Sequence, residues 1–177
     1  MDAHHRPAPP EATIVTWAAD VPAAAAVLDV AAGGGRHARL FADRGCAVTA
    51  VDRDCAALRA LADPRLEVVE ADLELAPWPL ADRRWDAIVV TNYLWRPLLP
   101  HLAAALAGGG RLLYETFMAG QERYGRPRNP DFLLREGELR AFAEAHGLEV
   151  LEFWEGTVDA PTTAARQRLL ARRRPVA

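Results

Sequence analysis

The chain contains neither lysine nor serine, and these two absences exclude several kinds of enzyme before any motif is considered. All 21 of the Lys and Arg residues are arginines, and the 177 residues carry a net charge of −3. Without lysine there is no phosphate-loop lysine, no Schiff base and no protein-kinase core. Without serine there is no serine-hydrolase triad.

Cysteine and long apolar runs are also scarce. The two cysteines, Cys46 and Cys55, are too few for a disulfide framework in a chain of this length and are interpreted as inert packing residues. No apolar run reaches the roughly 18 residues of a transmembrane helix, and residues 1–10 lack the apolar core of a secretory signal. We therefore expect a cytoplasmic protein without a membrane segment.

The same features predict the domain organisation and limit the partners. We expect a disordered tail over residues 1–10, rich in histidine and proline, and one domain over residues 11–177. The slightly acidic balance argues against nucleic acid as a partner. No residue set predicts a metal site, because the pair at His4 and His5 is too small for one. The sequence leaves the oligomeric state open.

Short apolar runs alternate with helical stretches along the first two thirds of the chain. The pattern predicts strands at residues 27–31, 46–51, 66–71, 85–90 and 111–116. Helices are predicted at residues 36–44, between Asp54 and Pro64, and at residues 98–107. Repeated strand–helix alternation is typical of a parallel sheet with helices on both faces, whose sites form at the carboxyl ends of the strands.

The last third of the chain breaks this rhythm. A long irregular segment, residues 117–134, is followed by a predicted helix at 137–146 and strands at 148–154 and 166–172. The connection between these strands is short for a crossover helix, so the last strand should be antiparallel. We therefore predict an α/β, Rossmann-like, doubly wound fold: a mostly parallel seven-stranded sheet with an antiparallel C-terminal strand and helices on both faces.

A glycine-rich turn follows the first predicted strand. Gly33-Gly34-Gly35 lies between a strand and a helix, where glycines let a ligand approach the backbone and the helix start favours negative groups. A side chain at Gly33 or Gly35 would enter the ligand space or require an unfavourable backbone angle. The turn also fits a dinucleotide pattern, because Asp52 follows Gly33 by 19 residues. This acid alone does not separate NAD from S-adenosylmethionine, since both carry a ribose diol.

Three features favour S-adenosylmethionine. Asp29 lies inside the first strand, where a dinucleotide fold has apolar residues. A second acid, Asp72, ends the third strand and is followed by Leu73. The predicted antiparallel hairpin closes the chain, and no second domain is predicted that would hold the substrate of a hydride donor.

On these residues the sequence resembles the class I S-adenosylmethionine-dependent methyltransferases, over about residues 26–173. Residues 29–35 are similar to the acid and glycine-rich turn of the family's first motif, with Ala31 in place of a glycine. That alanine would narrow the space beside the methionine moiety. Residues 132–140 and the closing strand resemble the small bacterial tellurite-resistance and thiopurine-type methyltransferases.

The resemblance implies S-adenosylmethionine as cofactor, S-adenosylhomocysteine as product and a small molecule as methyl acceptor. It also implies a role for each residue of the motifs. The methionine end would be held by Asp29, Ala31, Gly33 and Gly35; the ribose by Asp52; the adenine by Arg53, Asp72 and Leu73; and the methyl group would be lined by Thr91, Asn92 and Tyr93.

The candidate catalytic residues are Glu115, Tyr93 and His37. A hydroxyl or amine acceptor would need Glu115 or His37 as a base, whereas a soft anionic sulfur, selenium or tellurium centre would need none. Arg123, Arg126 and Arg128 in the irregular segment would suit an anionic acceptor. We expect that segment to overhang the methyl group rather than the adenine.

Two alternatives remain at this point. One is an NAD-binding oxidoreductase, which the glycine turn and Asp52 also suit. The other is a cofactor-binding domain without catalysis, which the alanine at position 31 makes conceivable. Tyr93 and His37 also have plain interpretations, as a rim aromatic and as a residue of the first helical turn.

Overall fold

The computed structural model describes residues 8–175, in which seven strands form one sheet. The strands are β1 (Ala26–Val30), β2 (Ala47–Asp52), β3 (Leu66–Glu70), β4 (Trp85–Thr91), β5 (Leu106–Phe117), β6 (Leu148–Val158) and β7 (Ala164–Arg173). Their order in the sheet is β3-β2-β1-β4-β5-β7-β6. Strands β1 to β5 pair in parallel, and β7 is antiparallel to both β5 and β6. The predicted sheet is confirmed.

Five helices cover the two faces of this sheet. They are α1 (Ala12–Ala18), α2 (Arg36–Asp43), α3 (Ala56–Ala60), α4 (Leu99–Ala105) and α5 (Glu138–Ala145). Buried residues of α1, α2 and α3 pack on one face with Val27, and those of α4 and α5 pack on the other with Leu28. Neighbouring residues of a strand point to opposite faces, so the central strands need apolar residues throughout. Asp29 is the exception in β1.

The larger differences from the prediction are in β5, β6, β7 and α1. Strand β5 begins at Leu106, because residues 106–110 extend it past a bulge opposite Trp85, so Gly108, Gly109 and Gly110 lie inside the strand. Strands β6 and β7 are longer than predicted, which shortens their connection to residues 159–163. Helix α1 was not predicted; it buries Ile14 and Trp17 although no side chain caps its first turn.

The irregular segment after β5 is fixed at both ends. Gln121 is buried, donates from Nε2 to the Arg126 carbonyl (3.1 Å) and accepts at Oε1 from the Ala165 N–H (2.9 Å). At the other end, the Arg96 guanidinium donates to the carbonyls of Asp131 (2.8 Å) and Leu133 (2.9 Å). These bonds satisfy backbone groups that a long loop would otherwise leave to water.

Only part of the predicted N-terminal tail belongs to the described chain. Residues 1–7 lie outside the described residues, and the Pro9 carbonyl accepts from the Arg36 guanidinium at 3.0 Å. The division into a tail and a domain over residues 11–177 stays a prediction. Within residues 8–175, none of the helices has the length and apolar character needed to cross a membrane.

Candidate functional site: a cleft at the carboxyl ends of the strands

A cleft of about 510 Å³ opens where the carboxyl ends of β1 to β4 meet. Its lining residues are Ala31, Asp52, Arg53, Ala71, Asp72, Leu73, Glu74, Tyr93 and Phe132. Six of the thirteen predicted site residues are therefore together in one cavity. Parallel strands end at the same edge of the sheet, so residues that are far apart in the sequence meet there.

The glycine turn borders this cleft and leaves its backbone uncovered. Gly33 has φ +52°, and a Cβ placed on it would meet none of the described atoms within 4 Å. The Gly33 N–H donates to Asp52 Oδ2 at 2.8 Å, which ties the turn to the end of β2. The turn thus provides the open approach that a ligand held against the backbone requires.

Gly35 has the positive φ that the prediction allowed for, at +77°, and its role toward a cofactor stays a prediction. A Cβ there would lie 2.7 Å from Leu61 Cδ1 and 2.8 Å from Leu58 Cδ2. A side chain at Gly35 would therefore enter the apolar contact between α2 and α3. Gly35 thus also serves packing at the start of α2, whereas Gly33 and Gly34 face open space.

The acids at the ends of β2 and β3 are held by backbone donors. Asp52 Oδ1 accepts from the Asp54 N–H at 3.1 Å, in addition to the bond from Gly33. Asp72 Oδ1 accepts from the N–H groups of Glu74 (2.9 Å) and Leu75 (3.1 Å). Both carboxylates line the cleft in fixed orientations, which suits recognition of hydroxyl and amine donors on a ligand.

Asp29 is the buried acid of β1. It is 1% exposed, and its Oδ2 has no hydrogen-bond partner among the described residues. Burial raises the pKa of this carboxyl to about 7, although the Ala38 N–H and the positive charge of Arg36 partly oppose the shift. An unpaired buried oxygen is costly, so a donor supplied from outside the chain would stabilise it.

His37 is buried beside the cleft with both ring nitrogens engaged. Nε2 accepts from the Glu11 N–H at 3.1 Å, and Nδ1 lies 3.3 Å from Thr91 Oγ1. Burial and the nearby charge of Arg36 lower the pKa of this imidazole to about 4, so it is neutral at pH 7. Its predicted role as a base stays a prediction, and that role would require the Glu11 N–H to move away.

Tyr93 and Asn92 lie on two sides of the turn after β4. Tyr93 lines the cleft near Asp72, and its hydroxyl has no partner within residues 8–175. Burial, together with the carboxylates of Glu74 and Asp72, raises the pKa of this phenol. Asn92 has φ +54° and accepts at Oδ1 from the Arg166 guanidinium at 2.8 Å. Tyr93 thus lies on the side of the acids rather than beside Glu115.

Glu115, the third catalytic candidate, is in a second cavity of about 330 Å³ at the end of β5. Its side chain is 1% exposed, and Oε1 lies 3.2 Å from Arg168 Nε and 3.5 Å from an Arg166 guanidinium nitrogen. Its other oxygen, Oε2, has no partner in the described part of the chain. The structure therefore places Glu115 in an arginine-lined pocket next to the cleft.

Three charged residues near the glycine turn were not predicted. Glu11 Oε1 accepts from Arg36 at 2.8 Å and from Asn92 Nδ2 at 3.5 Å, and it lies 3.9 Å from Arg166. A cation in the first turn of a helix is unfavourable unless it is paired, so Arg36 was a signal that could have been used. Glu11 and Arg166 carry no comparable signal, because only the fold brings them together.

The irregular segment contributes to both cavities. Phe132, near its end, lines the cleft together with Asp72, whereas Arg126 lines the second cavity with Glu115. The prediction that this segment overhangs the methyl group rather than the adenine stays a prediction. Near its end, the fixed carbonyls of Asp131 and Leu133 hold Phe132 against the cleft.

Asp29 and His37 should give the stability of the chain two opposing pH dependences. Folded Asp29 keeps its proton to about pH 7 rather than 3.8, so its contribution to stability falls as the pH rises from about 4 to about 7. Folded His37 is neutral down to about pH 4 rather than 6.5, so its contribution rises over that interval.

Urea unfolding of Asp29→Asn and His37→Gln at pH 4.5 and pH 7 separates the two contributions. When the pH is raised from 4.5 to 7, the free energy of unfolding of Asp29→Asn should rise by roughly 1–3 kcal/mol relative to that of the original chain. His37→Gln should lose a similar amount. Equal pH dependence in all three proteins would contradict both shifted pKa values.

The comparisons with known proteins agree with this geometry. Residues 27–113 match the family model of a methyltransferase domain. No curated protein matches the chain in sequence. TehB from Haemophilus influenzae is similar in structure, with a TM-score of 0.77 and 20% identity over 93% of this chain, which spans only 63% of that protein.

Two further solved structures have the same fold. A TehB-like SAM-dependent methyltransferase from Corynebacterium glutamicum has a TM-score of 0.67 and 21% identity, covering 92% of this chain and 88% of its own. The 1,6-didemethyltoxoflavin-N1-methyltransferase from Burkholderia thailandensis, solved with 1,6-didemethyltoxoflavin and S-adenosylhomocysteine, has a TM-score of 0.66 and 20% identity, covering 93% and 79%.

These matches support the resemblance found in the sequence. The chain has the fold of the S-adenosylmethionine-dependent methyltransferases, and its residues 27–113 match the model of a methyltransferase domain. At about 20% identity the solved structures establish the fold alone.

Proposed function

We propose that the protein transfers a methyl group from S-adenosylmethionine to a small-molecule acceptor, releasing S-adenosylhomocysteine. The observation that carries this proposal is the cleft itself. An uncovered glycine turn, an acid at the end of β2 and an acid after β3 border one cavity, and a buried acid with an unpaired oxygen lies in β1. The Burkholderia enzyme with its bound small molecule supports an acceptor of that kind.

The residues present fit this cofactor. The open space at Gly33 and the unpaired oxygen of Asp29 suit its methionine end, and Ala31 narrows the space between them. Asp52 is oriented for the ribose hydroxyls. The adenine would contact Arg53, Asp72 and Leu73, which line the cleft. Thr91 and Asn92, at the end of β4 and just before Tyr93, would border the reacting end.

When bound, the cofactor would supply a methyl group on a positively charged sulfur. The acceptor lone pair would bond to the methyl carbon, and the sulfur would leave with the electron pair of the broken carbon–sulfur bond. The chain's part is to orient the acceptor and to exclude water from the reacting end. A hydroxyl or amine acceptor would release its proton to a base. Glu115 is better placed than His37, because one of its oxygens is unpaired and both nitrogens of His37 are engaged.

An NAD-binding oxidoreductase is the weaker alternative. The glycine turn and Asp52 would serve NAD equally well, but the buried acid in β1 and the second acid at Asp72 have no role there. A domain that binds the cofactor without catalysis is the other alternative. It rests on Ala31, which adopts φ +53° where a glycine would be unstrained.

Calorimetry with S-adenosylmethionine, S-adenosylhomocysteine and NAD tests the cofactor directly. We expect the first two to bind and NAD not to bind. Binding of NAD alone would overturn the proposal. Release of S-adenosylhomocysteine in the presence of a panel of small acids, amines, phenols and thiols then separates an enzyme from a non-catalytic domain.

We further propose that the protein works in the bacterial cytoplasm, with one methyltransferase domain over residues 11–177, and does not bind nucleic acid. The support is that both cysteines are buried free thiols, which a reducing compartment preserves, and that the net charge is negative. Fractionation of bacteria that express the tagged chain tests the compartment, since recovery outside the cytoplasm would contradict it.

A further inference from the structure

The second cavity, at the carboxyl end of β5 and the amino end of β7, is lined by three arginines and two glutamates. These are Glu11, Glu115, Arg126, Arg166 and Arg168. Its volume of about 330 Å³ lies in the range of small-molecule pockets. The arginines outnumber the glutamates, and Glu11 is also paired with Arg36 at 2.8 Å, so the cavity is positively charged.

The charges are not distributed evenly among the arginines. Arg166 and Arg168 are both paired with Glu115, at 3.5 and 3.2 Å, and each guanidinium also stacks on an aromatic ring. No residue in the range 8–175 pairs with the guanidinium of Arg126 through a hydrogen bond or an ion pair. Arg126 is therefore the cavity arginine that is free to pair with a ligand, and it lies on the exposed side.

The deep end of the cavity has the opposite character. Glu115 is 1% exposed there, and its Oε2 has no partner among the residues described. Between the two ends, Phe117 and Tyr124 contribute aromatic surface. A ligand that matched the cavity would carry an acidic group at one end, an apolar body, and a hydrogen-bond donor at the other end.

Asn92 places this cavity next to the cofactor cleft. Its N–H donates to the Glu115 carbonyl at 3.0 Å, its Oδ1 accepts from Arg166, which lines the second cavity, and the following residue, Tyr93, lines the cleft. A molecule in the second cavity would therefore reach the reacting end of the cleft past Asn92.

We propose that this cavity is the acceptor subsite and that the acceptor is a small organic carboxylate, held by Arg126, whose hydroxyl or amine lies near Glu115. This inference rests on the proposed methyltransferase function. A carboxylate matches Arg126, the one arginine of the cavity for which no partner is found among the described residues. Arginine binds carboxylates with paired, directional hydrogen bonds, which explains why this residue type would serve here.

Benzoate is a suitable probe because it joins a carboxylate to an aromatic ring, and benzamide is its uncharged counterpart. Binding of each to the chain saturated with S-adenosylhomocysteine is measured by NMR titration. Benzoate should bind at least about tenfold more tightly than benzamide and than inorganic phosphate. Equal binding of benzamide, or tighter binding of phosphate, would overturn the assignment to a carboxylate.

Arg126→Gln and Arg123→Gln form a matched pair. Both remove one positive charge from the same segment, but Arg123 does not line the cavity. Arg126→Gln should weaken benzoate binding at least about tenfold, and Arg123→Gln should leave it within about twofold. Equal effects would mean that benzoate responds to the overall charge of the segment, which would overturn the subsite.

Two readouts keep this test separate from that of the proposed function. Affinity for S-adenosylmethionine, measured by calorimetry, should be the same in both variants and in the original chain. If the cofactor binds and benzoate does not, the subsite alone is wrong. If S-adenosylhomocysteine displaces benzoate, the probe occupies the cofactor cleft and the inference fails. If the cofactor itself does not bind, the proposed function fails first.

Discussion

Replacing Asp52 with asparagine should raise the Kd of S-adenosylmethionine by about 10- to 100-fold, or roughly 1.4–3 kcal/mol. The carboxylate accepts from two backbone N–H groups, those of Gly33 and Asp54, and faces the cleft. An asparagine amide can keep one of these bonds, but its NH₂ group would then face a donor, either in the backbone or on the ribose. Calorimetry with the purified variant measures the loss.

Glu70→Gln is the matched control for this variant. Glu70 is directly opposite Asp52 in the register between β2 and β3, and it forms an exposed ion pair with Arg59 at 2.6 Å. The substitution makes the same change in charge at the same edge of the sheet without touching the cleft. Its Kd should stay within about twofold of the original. If both variants bind equally well, Asp52 does not contact the cofactor.

Much of the sheet could be predicted because its central strands are buried on both faces. Such strands are runs of mostly apolar residues, as in β1 and β2, and β2 ends at Asp52. The edge strand β3 is less buried, and Asp72 follows its end by two residues. Since parallel strands place these ends together, the cleft follows from the strand order. The six cleft residues were predicted in two ways. Asp52 and Asp72 follow predicted strands, whereas the places of Ala31, Arg53, Leu73 and Tyr93 came from the resemblance to the class I methyltransferases.

The unpredicted parts depend on contacts between distant segments. Helix α1 has seven residues and no side-chain cap, so its stability comes from burying Ile14 and Trp17 against the sheet. Glu11 lies beside Arg36 and Arg166 only because that helix docks there. The local sequence pattern cannot reveal such a cluster. The only related signal in the sequence was that Arg166 and Arg168, two residues apart, lie on the same face of a predicted strand.

The contrast between Gly33 and Gly35 also required the structure. In the sequence both are members of one turn, and either could have faced the ligand. The positions of Leu58 and Leu61 assign Gly35 to the packing of α2 on α3. A bulky residue at Gly35 would disturb that packing, so its effect on the cofactor would not be specific, and Gly33 is the position to test.

Gly33→Ala should weaken S-adenosylmethionine binding at least about tenfold while the chain remains folded. At φ +52° an alanine costs about 1 kcal/mol in backbone strain, and its Cβ would occupy the uncovered space beside the turn. Calorimetry measures the affinity, and urea unfolding measures the stability. Strain alone could weaken binding, so the variant needs a partner with the same strain elsewhere.

Gly109→Ala provides that partner. Gly109 has φ +82°, and a Cβ there would also meet none of the described atoms within 4 Å, but it lines a separate surface pocket with Ala23 and Asp86 near the amino ends of β1 and β4. Both variants should lose about 1 kcal/mol of stability, whereas only Gly33→Ala should lose affinity. If Gly33→Ala and Gly109→Ala bind S-adenosylmethionine with equal affinity, the cofactor does not use the space beside Gly33. The methionine end would then have to lie elsewhere in the cleft.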